Sequence, residues 1–183
     1  MKEKLKKLIE QSILSWTDVD IYVISLLVYD DHDNPCKPTV TLGYNTEQWY
    51  RDSIPEADDA QEARWNYAFW IQNEELCYGI DDTASDVKRW VLANGFPYNE
   101  NDDELEEEEY DRLVGTITKA FVRVLIEIVQ QLHTSGIIKN KFGKEIPVLI
   151  HELEYYDEIA EQNIEANGEE LVKDFVDVCT GED

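Results

Sequence analysis

Positive charge is what this chain has least of. It holds 16 Lys and Arg against 41 Asp and Glu, a formal net charge of −25. That balance excludes nucleic acid and anionic membrane as partners, because their phosphates would be repelled. It favours a basic protein partner, or serves solubility alone. Cysteine is also scarce. Cys36, Cys77 and Cys179 stand far apart, an odd number without CxxC spacing. This excludes a disulfide framework and a zinc ribbon and fits reduced thiols. Long apolar runs are missing too. The longest, Ile21 to Tyr29, falls well short of the ~20 residues of a membrane-spanning helix. The N-terminus begins basic, but Glu10, Gln11 and Ser12 interrupt any signal-peptide core. A cytoplasmic location is expected.

Motifs for chemistry are lacking as well. The glycines are scattered, and no P-loop, GxGxxG or GxSxG occurs. His151-Glu152 opens like the HExxH zinc helix, but Tyr155 stands where the second imidazole is needed. Asp31-x-Asp33-Asn34 opens like a calcium loop, but Pro35, Cys36 and Leu42 occupy the positions that require an acid or amide, Gly and Glu. His32 and Cys36 are close in sequence, yet nothing marks the orienting group and oxyanion donor that a thiol nucleophile needs. No metal, cofactor or catalytic residue is expected. Carboxylate pairs of the glycosidase kind are unavoidable by chance among so many acids, so a solvated face is the favoured account of them.

What remains is enough for a core. At 183 residues with 43% apolar content, the chain reads as one domain over 1–183. Leu5, Leu8, Ile9, Ile13 and Trp16 stripe a first helix from about Glu3 to Trp16. Ile21–Tyr29 is apolar on both alternating faces, as in a central strand covered by helices. Thr39–Tyr44 alternates and returns from a polar turn as its hairpin partner. Asn45 with Gln48 marks a short helix over Thr46 to about Arg51. The aromatic segment Trp65–Trp70 fits a strand by alternation and a helix by the Trp65, Phe69 spacing; the aromatics favour the strand. Core packing is the favoured role of its rings over a binding surface. Asp86–Asn94 reads as a helix closed by Gly95.

Asn101–Asp111 is an acid run, with eight carboxylates from Asp102 to Asp111. It leads into the strongest periodicity of the chain. Tyr110, Leu113, Ile117, Phe121, Leu125, Ile128 and Leu132 keep one helix face apolar over roughly 35–45 Å. Ile146–Ile150 is a further strand. Tyr156, Ile159, Ala160 and Ile164 stripe one C-terminal helix, and Asn167 with Glu170 marks the start of the last. The expected fold is α+β, a mostly antiparallel sheet packed by a long amphipathic helix and the terminal helices.

Between Glu145 and Val172 there are nine carboxylates and no Lys or Arg. Such a field costs stability by self-repulsion, which a cationic surface would relieve. Glu152, Glu154, Asp157, Glu158 and Glu161 are the expected partner-binding residues. Glu154, Asp157, Glu158 and Glu161 share one face if the segment is helical throughout.

The stretches Arg64-Trp65-Asn66-Tyr67-Ala68-Phe69-Trp70-Ile71-Gln72-Asn73, Phe142-Gly143-Lys144 and Ile146 to Asp157 resemble a family of small acidic bacterial proteins with a domain of unknown function. Some of its members are found near toxin-immunity loci. The resemblance implies a cytosolic bacterial α+β domain without catalytic residues. The expected role is a non-catalytic binding protein, in its specific form an immunity protein neutralising a basic toxin. The alternative is a small enzyme using carboxylates and aromatic residues in a cleft. Oligomeric state is not legible.

Overall fold

The computed structural model describes residues 1–100 and 107–181. The acid run is therefore described only from position 107 onward.

The chain opens with helix α1 (Lys2–Ser15), whose Leu5, Ile9 and Ile13 point inward one turn apart. Strand β1 (Ile21–Asp30) follows and is buried on both faces for most of its length. A tight turn at 31–33 holds His32 and Asp33 at positive φ, a conformation that His and Asp tolerate better than most residues. It returns the chain as β2 (Pro38–Thr46), antiparallel to β1 with Leu26 opposite Leu42 and Val28 opposite Val40. The short β3 (Leu76–Tyr78) pairs antiparallel with β2, and β4 (Val148–His151) pairs parallel with β1. The order is β3-β2-β1-β4. The sheet is thus mostly antiparallel and the fold α+β, with β1 in the interior as its two apolar faces require.

Helices cover both faces. Ile24, Leu26, Val28, Leu42 and Ile150 pack with α1, with α4 (Ala84–Ala93) and with the long helix. On the opposite face, Tyr22, Val23 and Leu149 pack with Trp65 at the end of α3 (Ala60–Trp65) and with Ile159 and Phe175. Those two belong to α8 (Asp157–Asn167) and α9 (Glu169–Thr180). Between lie α2 (Glu47–Ser53), α5 (Glu107–Leu113), α6 (Lys119–Thr134) and α7 (Ile137–Phe142). A π-helical turn over Val114–Thr118 joins α5 to α6, so the long amphipathic helix is one rod with a wider turn in it. Leu113, Ile117, Phe121 and Leu125 stay buried through that turn.

Two sequence expectations are corrected. Trp65–Trp70 is not a strand. Asp59 caps α3 by accepting from the N–H groups of Gln61 and Glu62, and the Asn66 side chain accepts from Ala68 N–H to start a 3-10 turn over Tyr67–Phe69. Trp65, Tyr67 and Trp70 nevertheless enter the core, as expected of their bulk. Asn167 does not start the last helix; it is the last residue of α8, and Gly168 takes the cap position. Its amide has another use. Strand β4 lies at an edge of the sheet, and α8 runs along it. Val148 N–H donates to Asn167 Oδ1 (2.8 Å), and Asn167 Nδ2 donates to Val148 C=O (3.0 Å). One turn earlier, Ile150 N–H donates to Asn163 Oδ1 (2.9 Å), and Asn163 Nδ2 donates to Ile150 C=O (2.7 Å). Two asparagines four residues apart thus stand in for a neighbouring strand and close an edge that would otherwise invite pairing with another chain.

Candidate functional site

The interior holds one arrangement that resembles a catalytic pair. His151, the last residue of β4, is fully buried, and Ser25 on β1 is 3% exposed. The His151 Nδ1 lies 2.9 Å from the Glu152 carbonyl, which can only accept, so Nδ1 carries the proton. Nε2 is then the acceptor for the Ser25 hydroxyl at 2.8 Å. Tyr67, Trp70 and Tyr155 surround the ring at centroid distances of 5.0, 5.6 and 6.0 Å. Burial in this aromatic box pushes the imidazole down from 6.5 to about 4. A serine and a neutral histidine have the chemistry of nucleophile and base, but a substrate atom would have to reach a group with no solvent access. The pair locks β1 to β4.

The accessible feature that gathers the expected carboxylates is a groove of about 540 Å³ between α8 and the π turn and first half of α6; a cleft of about 690 Å³ between α1 and α7 holds none of them. Val122 and Ile126, both nearly buried, supply its apolar floor. Glu152, Glu158 and Glu161 line the α8 side, while Lys119 and Arg123 line the α6 side. Arg123 is committed to an ion pair with Glu165. Glu158 and Glu161 are exposed and make no ion pair among the described residues. Glu152 accepts from the Tyr156 hydroxyl at 2.9 Å. The groove brings three of the five expected partner-binding residues together. Glu154 and Asp157 are exposed but do not line it.

Glu154 also lies outside the helix, since α8 begins at Asp157. The expected four-residue carboxylate face therefore reduces to Asp157, Glu158 and Glu161. Asp157 and Glu158 sit in the first turn, where the positive end of the helix dipole favours acids and offsets their mutual repulsion.

Several lining residues escaped the sequence reading. Lys119 and Arg123 lie off the apolar stripe of the long helix, and nothing in the sequence singles them out. Gly115, four residues before Lys119, was the available signal: a glycine inside a helical pattern that needs a reason. A second, smaller recess of about 220 Å³ beside Tyr22 is lined by Arg64 and Lys144 but also by Glu145, Glu170 and Asp174. Arg64 there is already held by Glu47 at 2.9 Å and stacked over Tyr22 at 4.1 Å.

Close to the groove, the carboxyl of Asp30 ends β1 and accepts from Thr118 Oγ1 at 3.2 Å. Burial, reinforced by the nearby Glu152 charge, pushes it up from 3.8 to about 6. Folded protein then binds a proton at Asp30 below pH 6, which the unfolded chain takes up only near 3.8. Its contribution to stability is present in acid and lost as pH rises through 6. His151 acts oppositely, since the unfolded chain is protonated below 6.5 and the folded one only near 4. Between about pH 4 and 6 the two groups cancel, proton for proton. Asp30→Asn keeps an acceptor for Thr118 and removes the buried charge. It should stabilise the protein by about 1–2 kcal/mol at pH 7 to 8, with the advantage over the parent vanishing below about pH 4. Urea unfolding of both proteins across pH 3.5 to 8 measures this; an advantage that does not change with pH would refute a buried, shifted Asp30.

Among the described residues, no helix is long and apolar enough to cross a membrane, and no group of three or more His, Cys, Asp or Glu gathers as a metal site. No family model, curated protein or solved structure matches this chain.

Proposed function

We propose that this chain is a non-catalytic binding protein that docks a basic protein partner, acting in the bacterial cytoplasm as an immunity protein that covers the cationic surface of a toxin. The observation that carries this reading is the groove wall: Glu158 and Glu161 face solvent unneutralised beside an apolar floor. Complementary charge raises the rate of encounter and selects against wrong partners. An apolar floor then supplies the burial that charge alone does not.

The test uses the products of the genes that neighbour this one. A basic neighbour whose expression halts growth should be neutralised when this chain is co-expressed at equal level. Substituting Glu154, Glu158 and Glu161 together with Lys should slow association about tenfold or more at low salt, with the difference shrinking as salt screens it. Stopped-flow mixing measures both. If no basic neighbour binds, or if the triple variant associates as fast as the parent, the reading fails.

A second reading, an enzyme working with carboxylates, has one observation in its favour: the Asp30 carboxyl, raised by burial to about 6, near the groove. A carboxyl shifted toward neutrality suits proton transfer. The two readings separate by stoichiometry. A binder protects only at equal amounts, whereas an enzyme protects at a small fraction and loses that protection in Asp30→Asn.

A further inference from the structure

We infer that the groove between α6 and α8 receives one amphipathic helix or strand of the partner, apolar in its middle and basic along one edge only. This rests on the binding-protein reading above and names the docking mode. Three features define the occupant. The floor of Val122 and Ile126 calls for an apolar side chain, and Tyr156 (41% exposed) extends the apolar surface at the β4 end. The α8 wall carries Glu158 and Glu161, about 5 Å apart along the helix; Glu165, one turn further, is held by Arg123. The two free carboxylates fit a pair of Lys or Arg. The α6 wall carries Lys119 and the Glu165-paired Arg123. A partner with cations on both edges would meet the Lys119 ammonium, so this wall disfavours uniformly basic segments and fixes orientation.

Gly115 supports the same assignment independently. It lies in the π turn and lines the groove. Its backbone is not in the left-handed region, and a Cβ built there would meet no atom within 4 Å. Neither conformation nor crowding requires glycine, which inside a helix costs about 0.5–1 kcal/mol relative to alanine. What the missing side chain leaves is open space in the groove. The same openness provides a test, because a side chain can start at 115 with no atom within 4 Å of its Cβ.

The probe is a synthetic 14-residue helical peptide with leucines on one face, lysines along one edge and glutamines along the other. Isotope-labelled protein is titrated with it at low salt and followed by NMR. Saturable shifts are expected at Val122, Ile126, Glu158 and Glu161. Gly115→Phe, which plugs the groove, should weaken binding tenfold or more while its thermal melt is no lower than the parent's. Glu158→Lys with Glu161→Lys should weaken binding equally. Glu56→Lys with Asp58→Lys, an equal charge change on exposed residues outside the groove, should weaken it less than threefold. A peptide with lysines on both edges should bind no tighter than the one-edged peptide.

If the control pair weakens binding as much as the groove pair, or Gly115→Phe has no effect, the groove is not the site, while the acidic binder reading survives. If spermidine produces the same shifts with equal affinity, the groove takes a small polycation and the peptide assignment is overturned. If no basic probe binds saturably, both readings fall.

Discussion

Asn163→Asp should be among the most damaging single-atom changes available in this protein, costing about 3–5 kcal/mol at neutral pH. Asn163 is fully buried. Its Nδ2 donates to Ile150 C=O and to Ile159 C=O, and its Oδ1 accepts from Ile150 N–H. Aspartate keeps the acceptor and exchanges the donor for a carboxylate oxygen facing two carbonyls, with no cation among its hydrogen-bond partners. A buried, uncompensated charge is the expensive outcome. Asn163→Ala removes the charge problem but orphans the Ile150 N–H; Ile150 C=O keeps Gln162 Nε2 at 2.8 Å. Its cost should be about 2–4 kcal/mol. The two variants differ in pH dependence. The aspartate deficit should shrink as acid protonates the buried carboxyl, and the alanine deficit should not. Urea unfolding at pH 5 and pH 8 reads this directly. Equal pH profiles for the two variants, or a loss under 1 kcal/mol in both, would show that α8 does not seal the β4 edge. With Asn167→Ala added, the uncovered edge should also produce self-association in size-exclusion chromatography.

Leu26→Ala should cost about 2–5 kcal/mol. Leu26 lies in the middle of β1, opposite Leu42 on one side and Ile150 on the other, and is wholly buried. Truncation there leaves a void flanked by sheet neighbours on both sides, where backbone cannot collapse to fill it. A thermal melt unchanged by the substitution would show that β1 is not central.

The placement of β1 was legible because Ile21–Tyr29 has no polar face, and only a strand covered on both sides tolerates that. The long helix was legible because its apolar period survives the π turn: Leu113, Ile117 and Phe121 keep their spacing. The aromatic segment was not legible as structure, since alternation and i,i+4 spacing coincide over six residues. What decided it was local, the Asp59 and Asn66 side chains capping backbone N–H groups. The three-residue β3 and six-residue α7 fall below the length at which periodicity speaks. Asn167 misled because asparagine before Glu170 has the pattern of a cap, while its actual partner, Val148, is distant in sequence.

At the site, charge alone selected Glu152, Glu158 and Glu161. Nothing in composition could say that Lys119 and Arg123 would face them. That juxtaposition depends on α8 packing against α6, a contact between segments more than twenty residues apart.

Helix α8 divides its labour by position. Ile159, Asn163, Ala166 and Asn167 face the sheet and its edge. Glu158 and Glu161 face the groove and touch none of those contacts. The outer positions can therefore be rewritten, charge by charge, while the inner ones go on holding the sheet closed. Under the proposed binding role, the expected trace is variation concentrated on one side of a single helix.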